Sequence, residues 1–263
     1  KGTLAAMRTQ YDHWFSERTL HAAGLVDEAI AHVKASGHLY EKDGAWWLRS
    51  TDVGDDKDRV VVRDNGAPTY LAADIAYHWD KLKRGHETLV NILGADHHGY
   101  VHRLNAAVQA CGGKPDTLQV IIGQMVNLFR DGEPVRMSKR SGEMVTLQEV
   151  IDEVGADAAR YFLLMRSTDT TLDFDLGLAV KETADNPVFY VQYAHARISS
   201  ILRMAQTEGL PATPEALADA PLARLVEPDE RQLLFKLATY PDEIAAAALA
   251  MEPYRLTRYA QEL

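Results

Sequence analysis

The sequence predicts an α/β fold followed by an all-α region, and three stretches carry that prediction. Thr88-Leu89-Val90-Asn91-Ile92-Leu93 reads as a buried strand. Gly94-Ala95-Asp96-His97-His98-Gly99-Tyr100 then turns the chain into a helix that ends before Gly112-Gly113, which makes a β-turn-α unit. Leu118 to Phe129 is again apolar and β-branched, as a strand buried in a parallel sheet requires. Further on, Asn186 caps a helix with Pro187 at its first position, and Val188, Val191, His195, Ile198 and Leu202 recur on one face.

The other elements follow in chain order. Leu20 to Ser36 has helical periodicity through Leu25, Ile30 and Val33, and Gly37 ends it. Leu39-Tyr40 and Trp46-Trp47-Leu48 flank Lys42-Asp43-Gly44, a hairpin signal because glycine accepts the positive φ of the turn. Gly54-Asp55-Asp56-Lys57-Asp58-Arg59 leads into the strand Val60-Val61-Val62. Its aspartates lack the ligand pattern of a calcium loop, so a solvated, mutually salt-bridged turn is expected. Pro68-Thr69-Tyr70 enters a helix over Leu71 to Lys83. Thr146 and Glu149 form a capping box for a helix carrying Leu147, Val150, Ile151 and Val154, which Gly155 is expected to close. Gly209 to Pro228, rich in proline, alanine and acidic residues, reads as a surface excursion between helices. Pro253 to Leu263 is helical again, with no stop signal.

Composition narrows the class. At 263 residues, 46% hydrophobic and 25% charged, the chain can bury a large core and is long enough for two domains. No apolar run approaches the roughly 20 residues of a membrane helix, and Lys1-Gly2-Thr3 does not read as a signal peptide. A cytoplasmic protein with no membrane association is expected. The single cysteine, Cys111, excludes an internal disulfide and a Cys-based zinc site. The formal net charge of -10 argues against a broadly basic surface, so any RNA contact has to be local and directed by shape.

Three groups of residues carry chemistry. Arg136-Met137-Ser138-Lys139-Arg140-Ser141-Gly142 is a basic loop between ordered elements. An ammonium on a long stem, a hydroxyl beside it and a glycine that lets the loop reshape suit a grip on a triphosphate, although such clusters also occur as solvated turns. On the helix over Leu71 to Lys83, residues Tyr70, Asp74, Tyr77, His78 and Lys81 fall at spacings of three and four and share one side. Asp74 is either a pocket carboxylate able to pair bidentately with a guanidinium or an exposed residue paired with His78. Asp96, His97 and His98 sit where a strand ends and a helix begins, a place for ligands in open α/β sheets. Adjacent histidines on a tight turn diverge and have no third partner at ligand spacing, so hydrogen bonding to a substrate is expected there and no metal site.

Together these stretches resemble the bacterial arginyl-tRNA synthetases, a family of class I aminoacyl-tRNA synthetases, over nearly the whole chain. The likeness rests on Trp14-Phe15-Ser16-Glu17-Arg18, on the segment from Gly54 to Arg59, on Tyr70-Leu71-Ala72-Ala73-Asp74-Ile75-Ala76-Tyr77, on Gly94 to Tyr100 and on Asn186 to Arg197. Arg136 to Arg140 is similar to the class I KMSKS signature, with arginine replacing its first lysine and its last serine. The resemblance implies the C-terminal half of a Rossmann-like catalytic domain in residues 1–167, then part of an α-helical anticodon-binding bundle in 168–263. It also implies that the signature's HIGH-type partner lies N-terminal to this sequence, so a chain truncated at both ends is expected.

By the same resemblance the reaction is ATP-dependent formation of arginyl-adenylate and transfer of arginine to tRNA(Arg), with Mg2+ accompanying ATP. Lys139 would stabilise the departing pyrophosphate, with Arg136, Met137 and Ser138 placing the loop. Tyr70 and Asp74 would recognise the arginine side chain. The turn after the strand would approach arginine and adenosine; which histidine meets which stays open, with Gly94, Asp96 and His97 assigned to ATP and His98 to arginine. Tyr190, Gln192, His195 and Arg197 would contact tRNA, although His195 on an apolar face also reads as a core histidine and Arg197 as a solvated charge. A monomer is expected. The alternative is a non-catalytic tRNA-binding or structural piece.

Overall fold

The computed structural model describes residues 1–135 and 144–263. The loop from Arg136 to Gly142, and with it Arg136, Met137, Ser138 and Lys139, lies outside the described residues. The chain divides into two compact units, one made of Lys1–Gln10 with Met125–Leu263 and the other of Tyr11–Gln124.

The first unit opens with the short helix α1 (Gly2–Ala6). The chain then builds the second unit. Helices α2 (Glu17–Ala22) and α3 (Leu25–Ala35) replace the single helix expected over Leu20 to Ser36. Gly24 causes the break: it takes a left-handed φ of 70°, which a glycine adopts without steric cost, and the helical ladder restarts after it. Strands β1 (Leu39–Lys42) and β2 (Ala45–Leu48) pair antiparallel. Asp43 and Gly44 both have positive φ, 54° and 76°, giving the primed turn whose twist matches the two strands. Strand β3 (Arg59–Val62) completes this sheet in the order β1-β2-β3.

The turn before β3 is salt-bridged within itself as expected, Arg59 pairing with Asp55 and Asp56, but it is not solvated throughout, because Asp55 is buried. Arg59 donates to its carboxylate through Nε at 2.7 Å and through a terminal nitrogen at 2.7 Å. This two-bond clamp holds the Asp55 carboxyl well below the usual carboxylate range, as a guanidinium hydrogen-bonded to the ionised form must.

Helix α4 (Tyr70–Lys83) buries Leu71, Ala72, Ala73, Ile75, Ala76 and His78. Strand β4 (Leu89–Gly94), a single 3-10 stretch (Ala95–Tyr100), helix α5 (Val101–Ala110) and strand β5 (Leu118–Gly123) form the β-α-β unit, with β4 and β5 parallel from Leu89↔Leu118 to Gly94↔Gly123. Strand β4 is not buried on both faces, as its apolar run predicts. It alternates instead: Leu89 is 3% exposed and packs with Leu104, Val108 and Leu118, whereas Val90 and Ile92 are exposed, because α5 covers one face of this two-stranded sheet.

The apolar run from Leu118 to Phe129 is likewise two strands. After β5 the chain passes Gln124 and an exposed Met125 into β6 (Val126–Arg130), which belongs to the first unit. There β6 pairs antiparallel with β7 (Glu133–Pro134) and parallel with β8 (Leu172–Asp175). Periodicity cannot show this, because two short apolar strands read like one long one.

Helix α6 (Leu147–Leu164) begins with the expected capping box: Thr146 Oγ1 accepts from the Glu149 N–H and Glu149 accepts from the Thr146 N–H. Gly155 does leave helical geometry, at φ 81° and ψ 157°, yet the helix resumes at once and buries Ala158, Ala159 and Phe162. Phe162 stacks on Phe174 of β8 at 4.8 Å between ring centroids and 8° between planes, in the centre of this unit's core. A short helix α7 (Leu176–Ala179) leads to α8 (Pro187–Thr207), capped by Asn186, whose side-chain oxygen accepts from the Val188 N–H.

Of the apolar face expected on α8, Val188 is buried, but Ile198 and Leu202 are exposed and so is His195. His195 is therefore not a core histidine: α8 packs by its first turns, and its later turns meet no cover among the described residues. The stretch from 209 to 227 is turns and one 3-10 segment, and α9 (Pro228–Ala238), α10 (Tyr240–Ala250) and α11 (Tyr254–Glu262) follow. The Tyr161 hydroxyl donates to the Thr257 carbonyl at 3.1 Å, which ties α11 to α6. Among the described residues no helix is long and apolar enough to cross a membrane.

Candidate active site

The chemistry-bearing residues of the second unit gather around α4 and the end of β4. Thr69, in extended backbone, precedes Tyr70, which opens the helix 87% exposed. One turn on, Asp74 is half-buried, and its Oδ2 accepts a 2.6 Å hydrogen bond from the hydroxyl of Tyr100, the residue that ends the strand-end turn. That bond joins the two regions which spacing alone leaves separate.

Burial pushes the Asp74 carboxyl above its ordinary value. The Tyr100 hydroxyl and Lys81 pull it down, and Glu17 adds to the rise. Tyr100 is raised in turn by burial and by its bond to the carboxylate, so its proton stays on the phenol and is donated.

The carboxylate of Asp74 does not pair with His78, which is the simpler arrangement that helical spacing allows. His78 is 2% exposed, and its Nδ1 lies 2.7 Å from the Asp74 backbone carbonyl. Its Nε2 lies 2.8 Å from Asn91 Nδ2, and Asn91 Oδ1 accepts from Lys81 Nζ at 3.0 Å. A carbonyl and an ammonium at the two ends fix the direction of donation: Lys81 to Asn91, Asn91 to Nε2, and Nδ1–H to the carbonyl. The ring is therefore neutral, and burial pushes it down to about 4. The chain of bonds pins α4 to β4 directly beneath Asp74, and it leaves the carboxylate free to face a ligand.

At the strand end, Gly94 is followed by Asp96, His97 and His98, all exposed. A side chain at Gly94 would place its Cβ 2.8 Å from Asp96 Oδ1, so the missing Cβ lets that carboxylate lie back over the end of β4. His97 Nε2 is 3.6 Å from Asp96 Oδ2. Among the described residues, no group of three or more His, Cys, Asp or Glu is placed to hold a metal ion.

Tyr190, Gln192, His195 and Arg197 lie on α8, in the other compact unit, and all are exposed. Arg197 donates to the Tyr193 hydroxyl at 3.2 Å and lies over its ring, an exposed contact along its own helix.

Sequence reasoning missed Tyr100 as a partner of Asp74, together with the structure behind it. The Arg103 guanidinium lies over the Tyr100 ring at 4.9 Å and its Nε is 3.9 Å from the clamped carboxylate of Asp55. The available signal was positional: a β-turn-α unit returns the start of its helix to the strand end, next to the preceding helix.

A half-buried carboxylate beside the carboxyl end of a parallel strand, met by a neutral donor and backed by a pinned helix, defines an α/β strand-end site suited to a cationic group. Comparison with known proteins gives the family. Residues 18–199 match the family of tRNA synthetases class I (R), catalytic domain, and residues 191–263 match the DALR anticodon binding domain. The chain belongs to the class I tRNA synthetase (R) family, with a DALR helical region after the catalytic one.

Among curated relatives it is 55% identical over 253 residues to an arginine-tRNA ligase of Moorella thermoacetica, covering 96% of this chain and 45% of the relative. It is 53% identical over 261 residues to one of Desulfitobacterium hafniense, covering 99% of this chain and 46% of the relative. The chain thus spans about half the length of the curated relatives it matches. A solved synthetase chain from Campylobacter jejuni superposes with a TM-score of 0.87 at 36% identity, over 100% of this chain and 56% of that one. Arginyl-tRNA synthetase from Thermus thermophilus, at 21% identity, shares the fold with a TM-score of 0.78 over 100% and 52%.

Proposed function

We propose that this chain belongs to an arginine-tRNA ligase, which activates arginine with ATP and transfers it to tRNA(Arg). The observation that carries the reading is Asp74: a desolvated carboxylate with one neutral donor among the described residues is poised for a cation, and the arginine side chain supplies one in the planar, two-pronged form a carboxylate accepts. Tyr70, exposed one turn before it, closes over the guanidinium, and His98 completes the arginine pocket. Gly94, Asp96 and His97 border adenosine at the strand end, where bare backbone allows close approach. Arg136, Met137, Ser138 and Lys139 serve the triphosphate. Mg2+ enters with ATP as its counter-ion, while binding and orienting the substrates falls to the chain's own residues.

Activation joins the arginine carboxylate to the α-phosphate and releases pyrophosphate, and a terminal ribose hydroxyl of the tRNA then takes the acyl group. The protein positions groups and neutralises charge. Tyr190, Gln192, His195 and Arg197, all exposed on α8, meet the tRNA, and the protein works in the cytoplasm as a monomer.

Arginine-dependent ATP–pyrophosphate exchange by the full-length protein in the presence of tRNA tests the reading. Exchange supported by a different amino acid and not by arginine overturns it. Lys139→Ala is expected to slow exchange by about a hundredfold or more while leaving the Kd for arginine unchanged; an unaltered rate removes Lys139 from the chemistry.

A further inference from the structure

We infer that Tyr100 is a positioning residue for arginine recognition, its hydroxyl holding one oxygen of Asp74 so that the other is presented, ionised, to the guanidinium. The inference rests on the arginine-binding reading of Asp74 and goes beyond it by naming what prepares that carboxylate.

The geometry is specific. The phenol donates to Oδ2 at 2.6 Å, and among the described residues no second donor reaches the carboxylate. The ring is backed by Arg103, whose guanidinium lies 4.9 Å from its centroid, and the Asp55 carboxylate, 3.9 Å from Arg103 Nε, attracts that guanidinium by charge without a hydrogen bond. Asp55 is itself clamped by Arg59 through two bonds of 2.7 Å. A tyrosine so braced cannot swing away at small cost. With one lone pair of Oδ2 taken, Oδ1 is left open to one prong of the guanidinium and Oδ2 can meet the other only through its remaining lone pair, which restricts how a ligand enters.

The charges facing Asp74 set the direction of the effect. Glu17, from α2, and burial favour the protonated acid, while Lys81, on α4, and the Tyr100 hydroxyl favour the carboxylate. His78, one turn along α4, is neutral, and Arg103 acts on Tyr100 from α5. Arginine needs the carboxylate. Removing the hydroxyl therefore shifts the balance toward the acid, and binding fades at a higher pH than before.

The test is the Kd for arginine of the full-length protein, measured by calorimetry from pH 5 to 8. Tyr100→Phe keeps the ring under Arg103 and removes only the donor. The expected result is a Kd about tenfold higher at neutral pH, an acid limb moved to higher pH, and an unchanged Kd for ATP. An acid limb left in place overturns the inference. Asp74→Asn in parallel separates the two claims: arginine bound as tightly as by the unaltered protein sinks the reading of Asp74, whereas binding lost in Asp74→Asn but unaffected in Tyr100→Phe sinks only the role of Tyr100. If Tyr100→Phe does not fold, 3-fluorotyrosine incorporated at position 100 decides. Its more acidic hydroxyl is the stronger donor, so the limb is expected to move to lower pH, and no movement overturns the inference.

Discussion

Asp74→Asn is expected to raise the Kd for arginine by about a hundredfold or more while leaving the protein at least as stable as before. The first half follows from charge, because asparagine offers one acceptor and no compensating anion, and a buried guanidinium left unpaired is costly. The second half follows from the environment. Asp74 has its folded-state pKa raised above the unfolded value, chiefly by burial. The folded chain therefore binds that proton more tightly than the unfolded chain, and this contribution to stability falls as pH rises from the unfolded value through the folded one. Above that window the ionised side chain is a net cost, and an amide of the same shape removes it. Thermal unfolding at pH 5 and pH 8 with calorimetry for arginine checks both halves. A variant that binds arginine normally, or one that loses binding by unfolding, contradicts the argument.

Phe162→Ala is expected to destabilise the unit built from Lys1–Gln10 and Met125–Leu263 by about 3–5 kcal/mol, the usual cost of emptying a large aromatic site in a core that cannot collapse around the void. Phe162 and Phe174 are each 1% exposed and stacked in parallel, among Leu128, Ala159, Leu172 and Leu176. Truncation removes a stacking partner as well as buried area. Phe162→Leu, which keeps most of the volume, is expected to lose less than half as much. Urea unfolding of both variants measures the difference, and equal losses would show that retained volume counts for little beside the stacked geometry.

The sequence made local structure legible wherever a residue had a backbone reason to be there. Asp43-Gly44, the Thr146/Glu149 box and the Asn186-Pro187 cap each occupy the conformation their chemistry implies. The failures are places where apolar periodicity had to stand in for packing. It ran across Gly24 and across the gap between β5 and β6, and it gave the later turns of α8 a buried face that the described residues do not cover. In the site, spacing put Tyr70, Asp74, His78 and Lys81 on one helix, but they separate in depth: Tyr70 stands in solvent and His78 is enclosed. The bond between Tyr100 and Asp74 links residues 26 apart and belongs to topology, which no local pattern records.

Cys111, the one cysteine of the chain, closes α5 in the core of the second unit, its thiol 3.6 Å from the Ile75 carbonyl of α4 and pushed by burial up to about 12. A thiol so placed is silent to alkylating reagents while α4 and α5 stay together. Its labelling rate is therefore an internal clock for the opening of the helix that carries Asp74, and it reads that unit without interference because the other has no thiol. Any ligand that braces α4 should slow the clock in proportion to its occupancy, so the chain carries its own gauge of how firmly the helix bearing Asp74 is seated.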